Sequence, residues 1–463
     1  MADLSSIVKA YDVRGVVPDE FDEDIARALG AAFVRLTGAG TIVTAHDMRP
    51  SSPALSAAFA AGATEQGADV IEAGLGSTDL LYFASGRLDL PGAMFTASHN
   101  PARYNGIKLC RAGAAPVGAD TGLAEIRRMA EEAPADPPGD RVRGRISQRD
   151  LLTEYASYLR GLVDLSGTRR LRVVVDAGNG MAGYTVPAVL GDAALGPLPL
   201  EIIPLYFELD GTFPNHEANP LDPRNLVDLQ AAVRAHGADI GLAFDGDADR
   251  CFVVDERGDP VSPSAVTALV ATRELAKDPG GTIIHNLITS SAVPEIVTEH
   301  GGKPVRTRVG HSYIKATMAE TGAIFGGEHS AHYYFRDFWR ADTGMLAAMH
   351  MLAALGEAPA GTGLSALTAA FARYVGSGEI NSRVDDQEGR LRAVERAFAG
   401  RPGVEIDHLD GLTVQASDHS WFNLRPSNTE PLLRLNVEGR DGAAMVSLRD
   451  EVLAMLRGGE EHE

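Results

Sequence analysis

Short apolar runs that end abruptly in polar loops recur along this chain, and that alternation restricts its fold more than any other feature. Ala93-Met94-Phe95 gives way to Thr96-Ala97-Ser98-His99-Asn100-Pro101, and Ile240 to Phe244 gives way to Asp245-Gly246-Asp247-Ala248-Asp249-Arg250. Runs of this length, bounded by turn residues, read as buried strands. Longer helical segments lie between them, among them Ser52 to Gln66, Ser291 to His300 and Asp342 to Leu355. Strands and helices in regular alternation predict α/β layers.

The 463 residues exceed what a single core accommodates and suggest about three to four domains. Residues 1–148, 149–254 and 255–370 each read as an α/β domain, which suggests a structural repeat without residue-level repetition. Residues 371–463 differ: strand-like runs at Glu379 to Val384, Leu412 to Ala416, Trp421 to Leu424 and Leu432 to Val437 are combined with two helices. The expected fold class is therefore three tandem α/β domains with mixed sheets plus a C-terminal α+β domain.

Charge narrows the partners. The formal net charge of −21 opposes general binding to nucleic acid or to acidic membranes. An anionic small substrate remains compatible, provided that basic groups gather locally. No window offers roughly 18 uninterrupted apolar residues, so no membrane span is expected. The N-terminus lacks the basic and apolar regions of a signal peptide. Cys110 and Cys251 both lie in strand-like runs and are expected to be reduced and buried. Together these features predict a cytoplasmic protein.

Four loops carry the chemistry. Ser98 lies where a strand breaks into a loop, which suits a nucleophile, although Ser, Asn and Pro also make ordinary turns. Asp245, Asp247 and Asp249 alternate; in extended chain they would point to one side and would repel unless a cation lay among them. An all-oxygen ligand set suits Mg²⁺. An EF-hand is excluded because Arg250 stands where that loop needs Gly, although Glu256 occupies its twelfth position. In Gly326-Gly327-Glu328-His329-Ser330-Ala331-His332 the glycine pair would let backbone approach a ligand, and Glu328, Ser330 and His332 alternate on one side, offering the mixed donors and acceptors that sugar hydroxyls require.

A fourth loop, Arg425-Pro426-Ser427-Asn428-Thr429-Glu430-Pro431, gathers an arginine, two hydroxyls and an amide, a compact anion site. Basic groups recur near the motifs: Arg14 within Tyr11-Asp12-Val13-Arg14-Gly15, and Lys108 just beyond the Ser98 loop. His311 lies at a helix start.

In order and spacing these motifs, from Tyr11 to Pro431, resemble the α-D-phosphohexomutase superfamily, and within it the bacterial phosphomannomutase/phosphoglucomutase group. The resemblance implies four domains around a central cleft, each contributing one motif. It implies that Ser98 is a phosphoserine that exchanges phosphoryl groups with hexose 1- and 6-phosphates through a hexose 1,6-bisphosphate, which also serves as activator. It assigns Ser98, Asp245, Asp247 and Asp249 to Mg²⁺, and Arg14, Lys108 and His99 to the reacting phosphoryl group. Tyr11, Arg250, His311, Glu328, Ser330, His332, Arg425, Ser427, Asn428 and Thr429 are assigned to the substrate. The expected partners are hexose phosphates alone, with the chain a monomer or, alternatively, a dimer.

The sugar loop departs from the group's common Glu-Met-Ser-Gly-His: His329 and Ala331 replace Met and Gly. Mannose is the expected sugar, with glucose also accepted. A phosphoglucosamine mutase is the alternative within the superfamily. A sugar phosphatase built on Ser98 is disfavoured because it has little need for the Arg425 loop. A non-catalytic sensor would be expected to have lost Ser98 or an aspartate, and all four residues are present.

Overall fold

The computed structural model describes residues 3–132, 142–427 and 432–457. Two compact units divide the chain: Met1–Val261 with Ser330–Leu367, and Ser262–His329 with Thr368–Glu463.

The first unit contains two mixed sheets. In one, Thr41–His46 is central and runs parallel to Asp69–Leu75 and to Gly92–Phe95. Gly92–Phe95 then pairs antiparallel with Tyr104–Arg111, which pairs antiparallel with Val13–Val16. In the other, Leu171–Asp176 is central and parallel to Leu200–Leu205 and Ile240–Phe244. Ile240–Phe244 pairs antiparallel with Cys251–Asp255. All five residues of Ile240–Phe244 are buried, as its continuous apolar run demands of a strand covered on both faces.

The second unit repeats the parallel core. Thr282–Asn286 lies between Lys303–Thr307 and Phe325–Gly327, parallel to both. All three α/β segments thus obey one topological rule: the first strand is flanked by the second and the third. The loop leaving the carboxyl end of the third strand is in each case a motif loop, carrying Ser98, Asp245 or Glu328. Carboxyl strand ends are where α/β sheets present their chemistry.

The C-terminal strands Val375–Arg383, Leu432–Gly439, Trp421–Pro426, Leu412–Gln415 and Glu405–Asp407 form one antiparallel sheet in that spatial order. Helices Gln387–Phe398 and Gly442–Arg457 accompany it, and Phe422, Leu424, Leu435 and Val452 are part of its core. This is the expected α+β arrangement. Among the described residues, no helix is long and apolar enough to cross a membrane.

Two long helices, Glu23–Thr37 and Pro263–Lys277, have no counterpart in the sequence-based expectation. Their buried faces mix small and large apolar residues, among them Ala26, Leu29, Ala32 and Phe33 in the first and Ala265, Leu269, Val270 and Leu275 in the second. Glu23–Thr37 is capped by Asp22, whose side chain accepts from the Ile25 N–H, and it ends at the left-handed Gly38. It packs tightly on Ser52–Glu65. A Cβ on Gly30 would lie 2.1 Å from the Phe59 carbonyl oxygen, and one on Gly62 would lie 2.0 Å from that of Arg27. Backbone contact this close requires glycine on both helices.

The third strand of the second unit is Phe325–Gly327, beginning two residues later than the expected Ala323 to Phe325. Gly326 and Gly327 therefore belong to a strand. A Cβ on Gly327 would meet the Thr267 side chain at 2.4 Å, so this glycine makes room for a helix rather than for a ligand.

Candidate functional site

Ser98 occupies the turn after Gly92–Phe95 with φ +50, a left-handed conformation uncommon outside glycine. Its N–H donates to Thr96 Oγ1 at 2.9 Å, and its hydroxyl donates to Asp245 Oδ2 at 2.8 Å. The side chain is almost fully buried. A serine so held has a defined direction, which a nucleophile requires and an ordinary surface turn does not supply.

The aspartates come together, but not through extended chain. Residues 246–249 form a turn, with Ala248 at φ +59. The turn, not a pleat, brings ligand atoms of Asp245, Asp247 and Asp249 within 4.8 Å of one another. All three carboxylates are fully buried. Thr78 opens the helix Thr78–Leu88 and serves this turn twice: its hydroxyl donates to Asp247 Oδ2 at 2.6 Å and its N–H to Asp247 O at 3.0 Å.

Two cations face the three carboxylates. Lys108 Nζ donates to Asp247 Oδ2 at 2.8 Å and to Asp249 Oδ2 at 2.5 Å. Arg250 donates through Nε to Asp245 Oδ2 at 2.9 Å and through Nη2 to Ser98 Oγ at 3.3 Å. Burial alone would lower the Lys108 pKa, but Asp247 and Asp249 outweigh it and hold the ammonium charged. Burial pushes the Asp245 carboxyl up to about 7, against the pull of Arg250. Burial also acts on Asp247, yet Lys108 and Thr78 hold its carboxyl below the usual range. Asp245 and Asp247 are thus pushed in opposite directions, although they stand only two residues apart.

Asp247 Oδ1 and Asp249 Oδ1 are buried and have no hydrogen-bond partner. Orphaned carboxylate oxygens converging beside a serine hydroxyl are a donor set that fits a hard divalent cation. These residues could hold a metal.

His99 follows Ser98 and accepts from Arg250 Nη2 through Nδ1 at 2.6 Å. Burial, then Arg250 and Arg14, push its pKa well below the ordinary value, so it is neutral. Arg14 donates to Asn100 Oδ1 at 2.5 Å and pairs with Asp12, which ties the first strand to the serine loop. Tyr11, half-buried, precedes that strand. Arg250 and His332 form an antiparallel bridge, Ser330 Oγ lies 3.0 Å from His332 Nδ1, and Ala331 between them has φ +64.

Glu328 belongs to the second unit, whereas Ser330 and His332 belong to the first, so the alternating face expected from sequence is replaced by a turn. Glu328 Oε1 accepts from Asn286 Nδ2 at 3.0 Å and from the Gly310 N–H at 3.2 Å. Gly310 caps the helix His311–Thr321, which fixes His311 at its first position. His329 Nδ1 lies 3.1 Å from Ser264 Oγ, and burial lowers its pKa. Arg425 is largely buried; Nε donates to Asn423 Oδ1 at 2.9 Å, and Nη2 lies 3.4 Å from Glu379 Oε2. Ser427 is buried, with its N–H donating to Leu432 O at 2.8 Å. Asn428 and Thr429 lie outside the described residues.

Two contributors had no signal in the sequence. Thr78 reads as an ordinary helix start. Arg49 belongs to no motif, yet it is 1% exposed and reaches the Ser98 loop. A positioned hydroxyl, clustered carboxylates and fixed cations are the equipment of phosphoryl transfer, which depends on positioning and charge neutralisation.

The comparisons agree. Four domain profiles of phosphoglucomutase/phosphomannomutase match in chain order: α/β/α domains I, II and III over residues 5–135, 153–258 and 262–374, and the C-terminal domain over 379–455. The chain belongs to the phosphoglucomutase/phosphomannomutase family. A phosphomannomutase of Escherichia coli is 41% identical over 97% of this chain and 98% of its own length. A protein of Xanthomonas campestris pv. campestris described as phosphohexose mutases is 42% identical, covering 97% and 99%. A solved phosphoglucomutase/phosphomannomutase family structure from Burkholderia thailandensis superposes with a TM-score of 0.87 at 34% identity, covering 98% of both chains.

Proposed function

We propose that this protein is an isomerase that interconverts hexose 1-phosphate and hexose 6-phosphate, with mannose preferred and glucose accepted, by way of a phosphoserine at Ser98. The observation that carries this reading is the Ser98 hydroxyl, 2.8 Å from Asp245 Oδ2 and 3.3 Å from Arg250 Nη2. The names of the relatives support the substrate class.

In the first transfer a sugar hydroxyl attacks the phosphoserine. The Ser98 Oγ–P bond breaks, a new O–P bond forms, and the hydroxyl proton passes to a basic group at the site. The product is a hexose 1,6-bisphosphate. It then presents its other phosphate, which returns to Ser98 Oγ as the serine is re-phosphorylated and the second sugar oxygen regains a proton. No phosphate is gained or lost overall. Splitting the isomerisation into two transfers is covalent catalysis.

Asp245, Asp247 and Asp249, with the phosphoserine, would hold Mg²⁺, which when bound supplies positive charge to the transferring phosphoryl oxygens. Lys108, kept charged by its two aspartates, and Arg250 supply fixed positive charge. Arg14 shares acid–base and charge-neutralising work with Lys108, and neutral His99 orients Arg250. Glu328, His311, Ser330 and His332 bind sugar hydroxyls. Arg425, Ser427, Asn428 and Thr429 bind the non-reacting phosphate, with Tyr11 beside the substrate. In this reading the chain divides functionally at residues 148, 254 and 370, one motif to each part.

The test combines intact mass with turnover. The purified protein is expected to carry a single phosphate on Ser98, and Ser98→Ala to lose both phosphate and turnover. Mannose 1-phosphate, glucose 1-phosphate and glucosamine 1-phosphate are assayed side by side. Full-rate isomerisation by Ser98→Ala, or preference for glucosamine, would refute the reading.

A further inference from the structure

Arg49 lies outside every motif and touches no group assigned to substrate, metal or acid–base work. Its side chain has no solvent exposure. Nη2 donates to the backbone oxygens of Ser98 at 2.9 Å and Asn100 at 2.7 Å. Nη1 donates to those of Pro101 at 3.0 Å and Tyr104 at 2.9 Å. Nε lies 3.2 Å from Asp47 Oδ2, an ion pair. A guanidinium carries five donors in one plane; here the four on Nη1 and Nη2 are hydrogen-bonded to backbone, and Nε meets Asp47 by charge without a hydrogen bond.

We propose that Arg49 is a positioning residue for phosphoryl transfer: its fork holds the 98–104 loop in the one backbone shape that aims the Ser98 hydroxyl at Asp245. The proposal rests on Ser98 being the phosphoryl carrier.

Three observations carry it. Ser98 has φ +50, a conformation that persists only where the surroundings over-determine it. Four backbone acceptors on one rigid fork do so. Arg49 is itself fixed: Asp47 Oδ1 accepts from the Arg49 N–H at 3.0 Å and from Ser52 Oγ at 2.6 Å. The site is also closed on its far side. The Phe213 ring lies 5.1 Å from the guanidinium carbon, and a Cβ on Gly211 would come 2.6 Å from Arg49 Cα. A generic core arginine would need none of this coincidence between its acceptors and the residues that carry the nucleophile. Lysine keeps the charge but not the planar fork.

The experiment compares wild type with Arg49→Lys, each first phosphorylated with glucose 1,6-bisphosphate and checked by intact mass. Thermal unfolding, kcat and KM for mannose 1-phosphate, and amide hydrogen exchange are measured. Arg49→Lys is expected to lose about tenfold to a hundredfold in kcat, since displacement of a reacting group by about an ångström costs that much. KM is expected to stay within about threefold, because the substrate groups are untouched. Faster exchange is expected to be confined to residues 98–104. A folded Arg49→Lys with wild-type kcat, or with unchanged exchange at 98–104, overturns the proposal.

If Arg49→Lys does not fold, Ser52→Ala decides, since it loosens Asp47 and leaves the guanidinium in place. A loss of about threefold or more in kcat at constant KM supports the proposal, and wild-type kcat overturns it. Should the wild type itself turn over no hexose phosphate, the functional reading fails on its own, and exchange at 98–104 still decides what Arg49 holds.

Discussion

Gly246 lies against the carbonyl oxygen of Ser98. A Cβ built on Gly246 would stand 2.4 Å from that oxygen, closer than any real methyl approaches. The loop that carries the carboxylates and the loop that carries the hydroxyl therefore meet through bare backbone. Gly246→Ala is expected to push them apart by some tenths of an ångström and to lower kcat about a hundredfold. Circular dichroism and the melting temperature should show a folded protein. Wild-type kcat in a folded Gly246→Ala protein would show that the contact is dispensable.

Chelation should remove turnover and Mg²⁺ should restore it, because Asp247 Oδ1 and Asp249 Oδ1 are buried acceptors with no hydrogen-bond partner. Asp247→Asn removes a charge while keeping the shape that accepts from Thr78. It is expected to raise the Mg²⁺ concentration for half-maximal activity about tenfold or more, and to shrink the Mg²⁺-induced rise in melting temperature. Metal-independent turnover would discredit the three-aspartate site.

Arg425 is held by Asn423 and Glu379, so its guanidinium is set before any phosphate arrives. Arg425→Ala is expected to raise KM for hexose phosphates at least about tenfold, with a smaller effect on kcat, because a charge-assisted contact is worth about 1.5–3 kcal/mol. Unchanged steady-state kinetics would remove this loop from the site.

Acid should weaken the second unit through His285. Burial pushes its pKa down to about 4, so the folded protein keeps it neutral while the unfolded chain protonates near 6.5. Between those values the unfolded state binds more protons, so stability rises with pH across the window and is lost towards its lower end. The full contribution is up to about 3 kcal/mol. Urea denaturation at pH 5 and pH 7 should show a smaller difference in His285→Asn than in wild type. An equal difference in both would rule this out.

The fold was legible wherever local periodicity carries it. Runs such as Ile240 to Phe244 could be read as strands because they are continuously apolar and bounded by turn residues. The helices Glu23–Thr37 and Pro263–Lys277 lie in stretches without a motif, although the first carries local signals: an Asp22 N-cap, a Gly38 C-cap and an apolar stripe that includes Ala26, Leu29 and Phe33. Phe325–Gly327 was displaced because its glycines look like a loop until Thr267 is packed against Gly327.

The candidate site divides in the same way. Residue types are local information, so Ser98, the three aspartates, Lys108, Arg250, Glu328 and Arg425 could all be singled out in advance. Conformation was not available. The aspartates and the Glu328 to His332 segment were expected to alternate in extended chain. Both are turns, with Ala248 and Ala331 in the left-handed region alongside Ser98. One such non-glycine residue follows the third strand of each α/β segment, a regularity with no mark in the residue types.

What the amino-acid sequence determined by itself is the alternation of strands and helices and the identity of the reactive groups, because hydrophobic period and chemical type are properties of neighbouring residues. What only the tertiary structure decided is which groups answer each other. Lys108 meets Asp247 across 139 positions and Thr78 meets the same carboxylate across 169. Arg49 meets the Ser98 carbonyl across 49. Hydrogen bonds over such separations depend on how strands are ordered within a sheet and on backbone turns of positive φ, and neither leaves a local trace in the chain.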